Sequence, residues 1–202
     1  MQRFVWDLLY PNPPADNYDL PISAIYKDTP FTPQGPAVMP GVYTVRLTAN
    51  GKTLTQKLTV RIDPRVKTPT LGLLQQFNFS KQAYDGISRV AAMSESVKKF
   101  TADIADLRKL ANTDAQKARL DMIDAKIKLM MSGPQPRPGE STPVAEFPLS
   151  RLGGAFTQLL DLLQDADVAP SSQAVAASND LQRALAKAEA SWKEITGMMA
   201  PH

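Results

Sequence analysis

Val42-Tyr43-Thr44-Val45-Arg46-Leu47, then Asn50-Gly51, then Leu54-Thr55-Gln56-Lys57-Leu58-Thr59-Val60 is the stretch on which the fold turns. β-Branched and aromatic residues dominate both arms. Asn-Gly between them is the strongest short-range hairpin signal, because both residues tolerate positive φ. The alternation puts Val42, Thr44 and Arg46 on one face and Tyr43, Val45 and Leu47 on the other, with Leu58, Val60 and Ile62 continuing the apolar side. A lone hairpin buries too little to be stable in water, so this pattern asks for more strands. Arg3-Phe4-Val5-Trp6-Asp7-Leu8 alternates in the same way, and Ile22-Ser23-Ala24-Ile25-Tyr26 is a weaker candidate. Residues 1–64 are therefore predicted to form a small all-β, immunoglobulin-like sandwich with Pro-rich connections.

Downstream the composition changes. Ten of the 17 prolines lie in residues 1–69, and none lies between Thr70 and Gly133. Proline removes a backbone donor and breaks helix interiors, so the first third is barred from being largely helical and the next stretch is free to be. Asp63-Pro64-Arg65-Val66-Lys67-Thr68-Pro69 reads as a stiff connector that keeps the two parts packed together. Beyond it the apolar period becomes 3.6, with Ile87, Val90, Ala91, Ser94, Val97, Ile104, Leu107 and Ala111 on one helix face. Asn112-Thr113 ends that helix, and Thr113 with Gln116 has capping-box spacing for the next. The second helix points Leu120, Ile123, Ile127 and Met130 inward. Residues 132–148 hold prolines that no helix crosses. A third helix carries Leu152, Phe156, Leu159, Leu160 and Leu163; a fourth carries Leu181, Leu185, Ala188, Trp192, Ile195 and Met199. The fold class expected is α+β: the sandwich over 1–64, then an antiparallel three- or four-helix bundle over 65–202.

The net charge of +3 is spread evenly, with six Lys/Arg against five Asp/Glu in residues 1–64. A nucleic-acid binder concentrates its cations on one surface, so no nucleic-acid partner is expected. No run of residues has the length of an apolar membrane span. The N-terminus lacks the apolar core of a signal peptide. It opens instead as a strand, which suggests part of a longer protein.

Few residues have the chemistry for catalysis. Cysteine is absent, and the one histidine is the terminal His202, so thiolate sites, a Ser-His-Asp triad and histidine metal ligation are not expected. Asp103 with Asp106, Asp121 with Asp124, and the group Asp161, Asp165 and Asp167 are carboxylate clusters; the two pairs sit among lysines and arginines, and all three read as a solvated, ion-paired surface. Asp165-Ala166-Asp167 also lacks the ligand-dense loop of a calcium site. Ser96-Val97-Lys98-Lys99 matches Ser-x-x-Lys, but without its companion motifs and with Val97 on the apolar face. Asn78-Phe79-Ser80 is a glycosylation sequon inside a predicted helix. Gly153-Gly154 has no lysine partner for phosphate. No catalytic, cofactor or metal residue is expected. The remaining candidates for contact with a ligand or partner are Tyr10, Tyr18, Tyr26 and Phe31, in or beside Pro-rich loops. Their rings are suited to stacking on sugars or, more simply, to covering a small core.

Three segments together resemble the C-terminal region of large bacterial proteins built on sortilin-type, Asp-box β-propellers and often labelled glycosyl hydrolases. They are Arg3–Leu8 with Tyr10-Pro11, Met39–Arg65 through the Asn50-Gly51 turn, and Asp165-Ala166-Asp167-Val168-Ala169-Pro170-Ser171. The Asp-box repeats themselves have no match here, so no family site residue carries over. The resemblance implies a non-catalytic accessory or protein-interaction tail of a secreted or periplasmic protein, partnered by an upstream β-propeller or another protein. The alternative is an accessory domain that engages carbohydrate or peptide for an attached hydrolase.

Overall fold

A computed structural model describes residues 4–15, 18, 20, 29, 31–133 and 141–199. The described chain is mostly helical. Strands β1 (Gly41–Ala49) and β2 (Lys52–Val60) are followed by α1 (Thr70–Leu110), α2 (Asp114–Ser132), a 3-10 turn at Val144–Glu146, α3 (Leu149–Gln164) and α4 (Ser172–Gly197).

Helix α1, at 41 residues, is roughly 60 Å long at the usual rise and serves as the spine. Contacts along it set the direction of its neighbours. Gln76 meets Leu163, Ser80 meets Gln164, and Gly86 meets Phe156, so α3 runs antiparallel to the N-terminal half. Arg108 near the far end pairs with Asp121 and Asp124, placing α2 beside the C-terminal half. Gln82 bonds Ser178 and Gln182, Arg89 pairs with Glu189, and Phe100 packs edge-on against Trp192, so α4 runs parallel to α1. The result is close to a three-helix bundle whose descending member is interrupted between Ser132 and Leu149. The expected antiparallel arrangement is therefore corrected for the α1–α4 pair.

The core is made by the residues that the 3.6 period selects. Ile87, Val90, Val97 and Ile104 of α1 are buried with Leu120, Ile123, Ile127 and Met130 of α2, Leu152, Phe156, Leu159, Leu160 and Leu163 of α3, and Leu181, Leu185, Ala188 and Ile195 of α4. Thr113 caps α2 as its spacing predicts: its hydroxyl accepts from the Gln116 amide at 3.2 Å, and the Gln116 side chain accepts from the Thr113 amide. At the α1–α3 crossing a side chain at Gly86 would stand 2.7 Å from the Phe156 ring, which is itself fully buried.

The immunoglobulin-like sandwich expected over residues 1–64 is not what forms. The sheet has two strands, β1 and β2, joined antiparallel from Gly41↔Val60 to Ala49↔Lys52. The segment from Phe4 to Leu8 is not a strand; Leu8 has φ of 64°, which no strand tolerates, and Leu9 makes a single bridge to Ala37. The candidate strand at residues 22–26 lies outside the described residues. What the prolines build is a strap across the helices. Pro13 and Pro36 are fully buried, the Tyr10 ring packs against Phe77 and Tyr84 of α1, and the Ala37 amide donates to Gln164 of α3 at 2.8 Å. Gly35 allows the tight crossing within the strap, since a Cβ there would lie 2.1 Å from the Tyr10 carbonyl oxygen. The physical reason is donor supply: each proline deletes an amide that a ladder needs, while an extended chain lying on helices needs few. Among the described residues no helix is long and apolar enough to cross a membrane.

The Gly86–Phe156 contact gives a two-sided test. Alanine in place of an interior helical glycine gains up to about 1 kcal/mol, whereas overpacking a filled core costs about 1–3 kcal/mol. Gly86→Ala should therefore lower the stability measured by chemical denaturation by roughly 1 kcal/mol. Gly154→Ala, on the open face of α3 with nothing within 4 Å, should raise it by about 0.5–1 kcal/mol. Stabilisation by both substitutions would contradict the close approach of α1 and α3.

Candidate functional site

The aromatic candidates have separate fates. Tyr10 is half-buried, its ring used against Phe77 and Tyr84, where it anchors the strap. Tyr18 is exposed, and its hydroxyl donates to the Pro13 carbonyl at 2.6 Å, which fixes the ring to the strap. Phe31 is exposed. Tyr26 lies outside the described residues. A stacking platform would draw on Tyr18 and Phe31 more readily than on Tyr10.

Two of the three carboxylate clusters carry ion pairs, whereas among the described residues Asp161, Asp165 and Asp167 have none. Arg108 lies 2.7 Å from Asp121 and 3.5 Å from Asp124, tying α1 to α2, and Lys109 lies 2.7 Å from Asp106. Ser96 donates to the Ala92 carbonyl of its own helix, and Lys99 approaches Glu95 at 3.9 Å, so the Ser-x-x-Lys sequence presents no nucleophile–base pair. Among the described residues no group of three or more Asp, Glu, His or Cys is gathered to hold a metal. A groove of about 390 Å³ lies between α2, α4 and the 3-10 turn, floored by Met130, Leu149, Ala188 and Ile195; the Lys126 and Glu194 charges that line it pair with each other.

The most unusual surface is one that sequence reading did not identify as a site. The register confirms the alternation: Tyr43 faces Leu58, Leu47 faces Leu54, and Val45 shares their side, while Thr44, Arg46, Thr48, Thr55 and Lys57 occupy the other. Its apolar face is uncovered. Leu47 is 61% exposed, Leu54 68% and Val45 49%. Neither strand contacts any helix. Among the described residues Trp6 shields the base of this face, edge-on to Tyr43 at 5.6 Å. The Asn50-Gly51 turn, with φ of 47° and 73°, matches the right-handed twist of the strands and holds them in register. The hydroxyls of Thr48 and Thr53 also meet at 3.1 Å across the pair. The alternation was legible in the sequence. The exposure was not, because it depends on whether other strands cover the face.

Two carboxylates are perturbed in opposite directions. At the connector, side-chain and backbone hydrogen bonds from Arg65 hold Asp63 below its ordinary range. On α3, partial desolvation pushes Asp161 up, and repulsion from Asp165 one turn later adds to this. Both acids sit at the helix C-terminus, where an anion is disfavoured and no basic residue compensates. A raised folded-state value means that ionisation of Asp161 opposes folding. Its neutral form is the one compatible with full stability, which falls as the pH rises from below the ordinary value of 3.8 through the raised one. Asp161→Asn should therefore match the parent chain in strong acid and exceed it at neutral pH by no more than about 0.5 kcal/mol, because solvent screens a carboxylate this exposed. Thermal melts between pH 3 and 7 would show this, and a gap that closes at neutral pH would refute it.

Compared with protein-family models, with curated proteins and with solved structures, the chain matches none.

Proposed function

We propose that this chain is a non-catalytic interaction module, in which a self-sufficient helical bundle holds out an amphipathic β-hairpin for another protein surface to cover. The single observation behind this reading is the apolar face of Val45, Leu47, Leu54 and Leu58, which is in register and exposed on a hairpin that touches no helix. Contiguous exposed apolar patches on folded chains mark interaction sites more often than chance. The shortage of histidine and cysteine and the mutual pairing of the surface carboxylates support the non-catalytic part. Membership in an exported β-propeller protein belongs to the same proposal and rests on the three resembling segments.

A stability measurement separates a docking face from a hidden core. Substituting Leu47→Ser and Leu54→Ser together should leave the thermal midpoint of the full chain within about 1–2 °C, because exposed substitutions cost within about 0.5 kcal/mol. Were these leucines covered by their own chain, the loss would be about 2–5 kcal/mol each, and the docking reading would fail.

The carbohydrate-engaging alternative draws on Tyr18 and Phe31, the two exposed rings among the described candidates. Calorimetry of the full chain against a polysaccharide panel tests it. Saturable heat that disappears in Tyr18→Ala or Phe31→Ala would replace the interaction reading with the substrate-engaging one.

A further inference from the structure

Resting on the reading of the hairpin as a docking element, we propose that its partner is an acidic β-strand at the edge of another protein's sheet. That strand pairs alongside β2, its carboxylates meet Lys57 and Arg61, and its apolar residues extend the Leu54–Leu58 face.

The first reason is backbone geometry. In a two-stranded antiparallel pair every second residue of each strand turns its amide and carbonyl outward. Both nine-residue strands are regular, contain no proline, and have no further strand paired with them among the described residues. Proteins usually blunt such an edge with proline, a bulge, a short strand or charge. Here only charge is used.

The second reason is the sign of that charge. Residues 41–62 contain Arg46, Lys52, Lys57 and Arg61 and no aspartate or glutamate. Among the described residues none of the four cations is in a salt bridge, and the first acid beyond them, Asp63, is held by Arg65 at 2.7 Å. Lys57 and Arg61 fall four positions apart, hence on one face of β2 and its extension, opposite the apolar set. A strand added beside β2 places its own outward side chains next to them. Opposite charges there favour pairing, and like charges oppose it.

These features also rank the other occupants. A second copy of the hairpin brings four more cations and no carboxylate, so every register of self-pairing sets cations against cations or neutral residues. A lipid surface would accept the apolar face and the positive charge, but the open edges would leave backbone donors and acceptors unsatisfied in hydrocarbon. An acidic strand alone satisfies the edge, the apolar face and the charge together.

The full chain is tested against three probes. The first is a nine-residue peptide alternating valine with glutamate, tethered singly to a sensor surface; the second is its valine–lysine counterpart; the third is vesicles of phosphatidylserine and phosphatidylcholine. Sedimentation of the chain alone reports self-association. Expected are saturable binding of the glutamate peptide, at least tenfold weaker binding of the lysine peptide, and slowed amide exchange confined to residues 53–59. Lys57→Glu with Arg61→Glu should reverse the peptide preference while leaving the melt of the helices unchanged. Equal binding of both peptides, lost in Leu54→Ser, would overturn the acidic-strand assignment while keeping the docking face. Binding of vesicles but of neither peptide, or a dimer dispersed by Leu54→Ser, would overturn it in favour of lipid or a second copy. No binding of any probe and no dimer would overturn it outright, and the serine-pair melt would still decide the docking reading on its own.

Discussion

The ring of Phe156 occupies the space that a side chain at position 86 would need, and much of the molecule follows from that interlock. Because residue 86 is glycine, α3 approaches the spine helix closely enough to bury Phe156 completely, and the contact fixes the register of the two helices. With the register fixed, Gln76 of α1 donates to the carbonyl of Leu163, which the end of α3 leaves without an intrahelical partner, and to that of Ala166 in the turn beyond, which also accepts from the Val168 amide. One turn along, the Ser80 hydroxyl accepts from the Gln164 side-chain amide, whose Oε1 accepts from the Ala37 backbone amide. A packing notch thus leads to a polar chain, and the polar chain fastens the strap. Each such bond contributes only about 1 kcal/mol net, but a buried partner left unsatisfied costs about 1–3, so the strap position is tied to the helix register rather than merely compatible with it.

Most of the helical part was legible because its information is local. Apolar residues at three- and four-residue spacing have one favourable outcome in a chain free of proline, and Thr113 with Gln116 marks the start of α2 by a hydrogen-bond pair that needs only its own turn. The hairpin was legible for the same reason, since Asn50-Gly51 and the alternation on either side define strand, turn and register within some twenty residues. The strap was not. The segment from Arg3 to Leu8 alternates like a strand, but whether such a segment joins a sheet depends on partners distant in sequence and on free amides, and the prolines at 11, 13, 14, 33 and 36 remove the amides. For Tyr10 the sequence left stacking on a ligand and covering a core both open, because the choice depends on whether a helix lies beneath the ring, and α1 does. The parallel course of α1 and α4 was equally hidden, being set by the long connection from α2 to α3 rather than by any local pattern.

This contrast between local and distant information also marks the functional division of the chain. The bundle completes its own core: its apolar residues face one another, and its side-chain polar atoms that are cut off from solvent all find partners among the described residues. The hairpin meets every local requirement for a strand pair and lacks, among the described residues, the distant one, a cover. Burying a leucine or valine fully is worth about 1.5–3 kcal/mol, so the four exposed aliphatic residues on its apolar face hold several kcal/mol that folding of this chain leaves unused.

That reserve is useful for binding only if the hairpin does not have to be ordered at the moment of contact, since immobilising loose chain consumes much of what burial returns. Here the ordering is done beforehand at both ends. The Asn50-Gly51 turn and the paired Thr48 and Thr53 hydroxyls set the tip. At the base, the Tyr43 hydroxyl donates to the Met39 carbonyl, Trp6 stands against the Tyr43 ring, and Asp63 accepts from the Arg65 amide at 2.8 Å where the chain enters the connector. Because proline follows at 64 and 69, the link to α1 has few backbone states to lose. An apolar face held in this way is sticky and would be a hazard by itself. The four cations around it, none in a salt bridge among the described residues, keep copies of the chain apart and admit a partner of opposite sign, so one set of charges serves both solubility and selection.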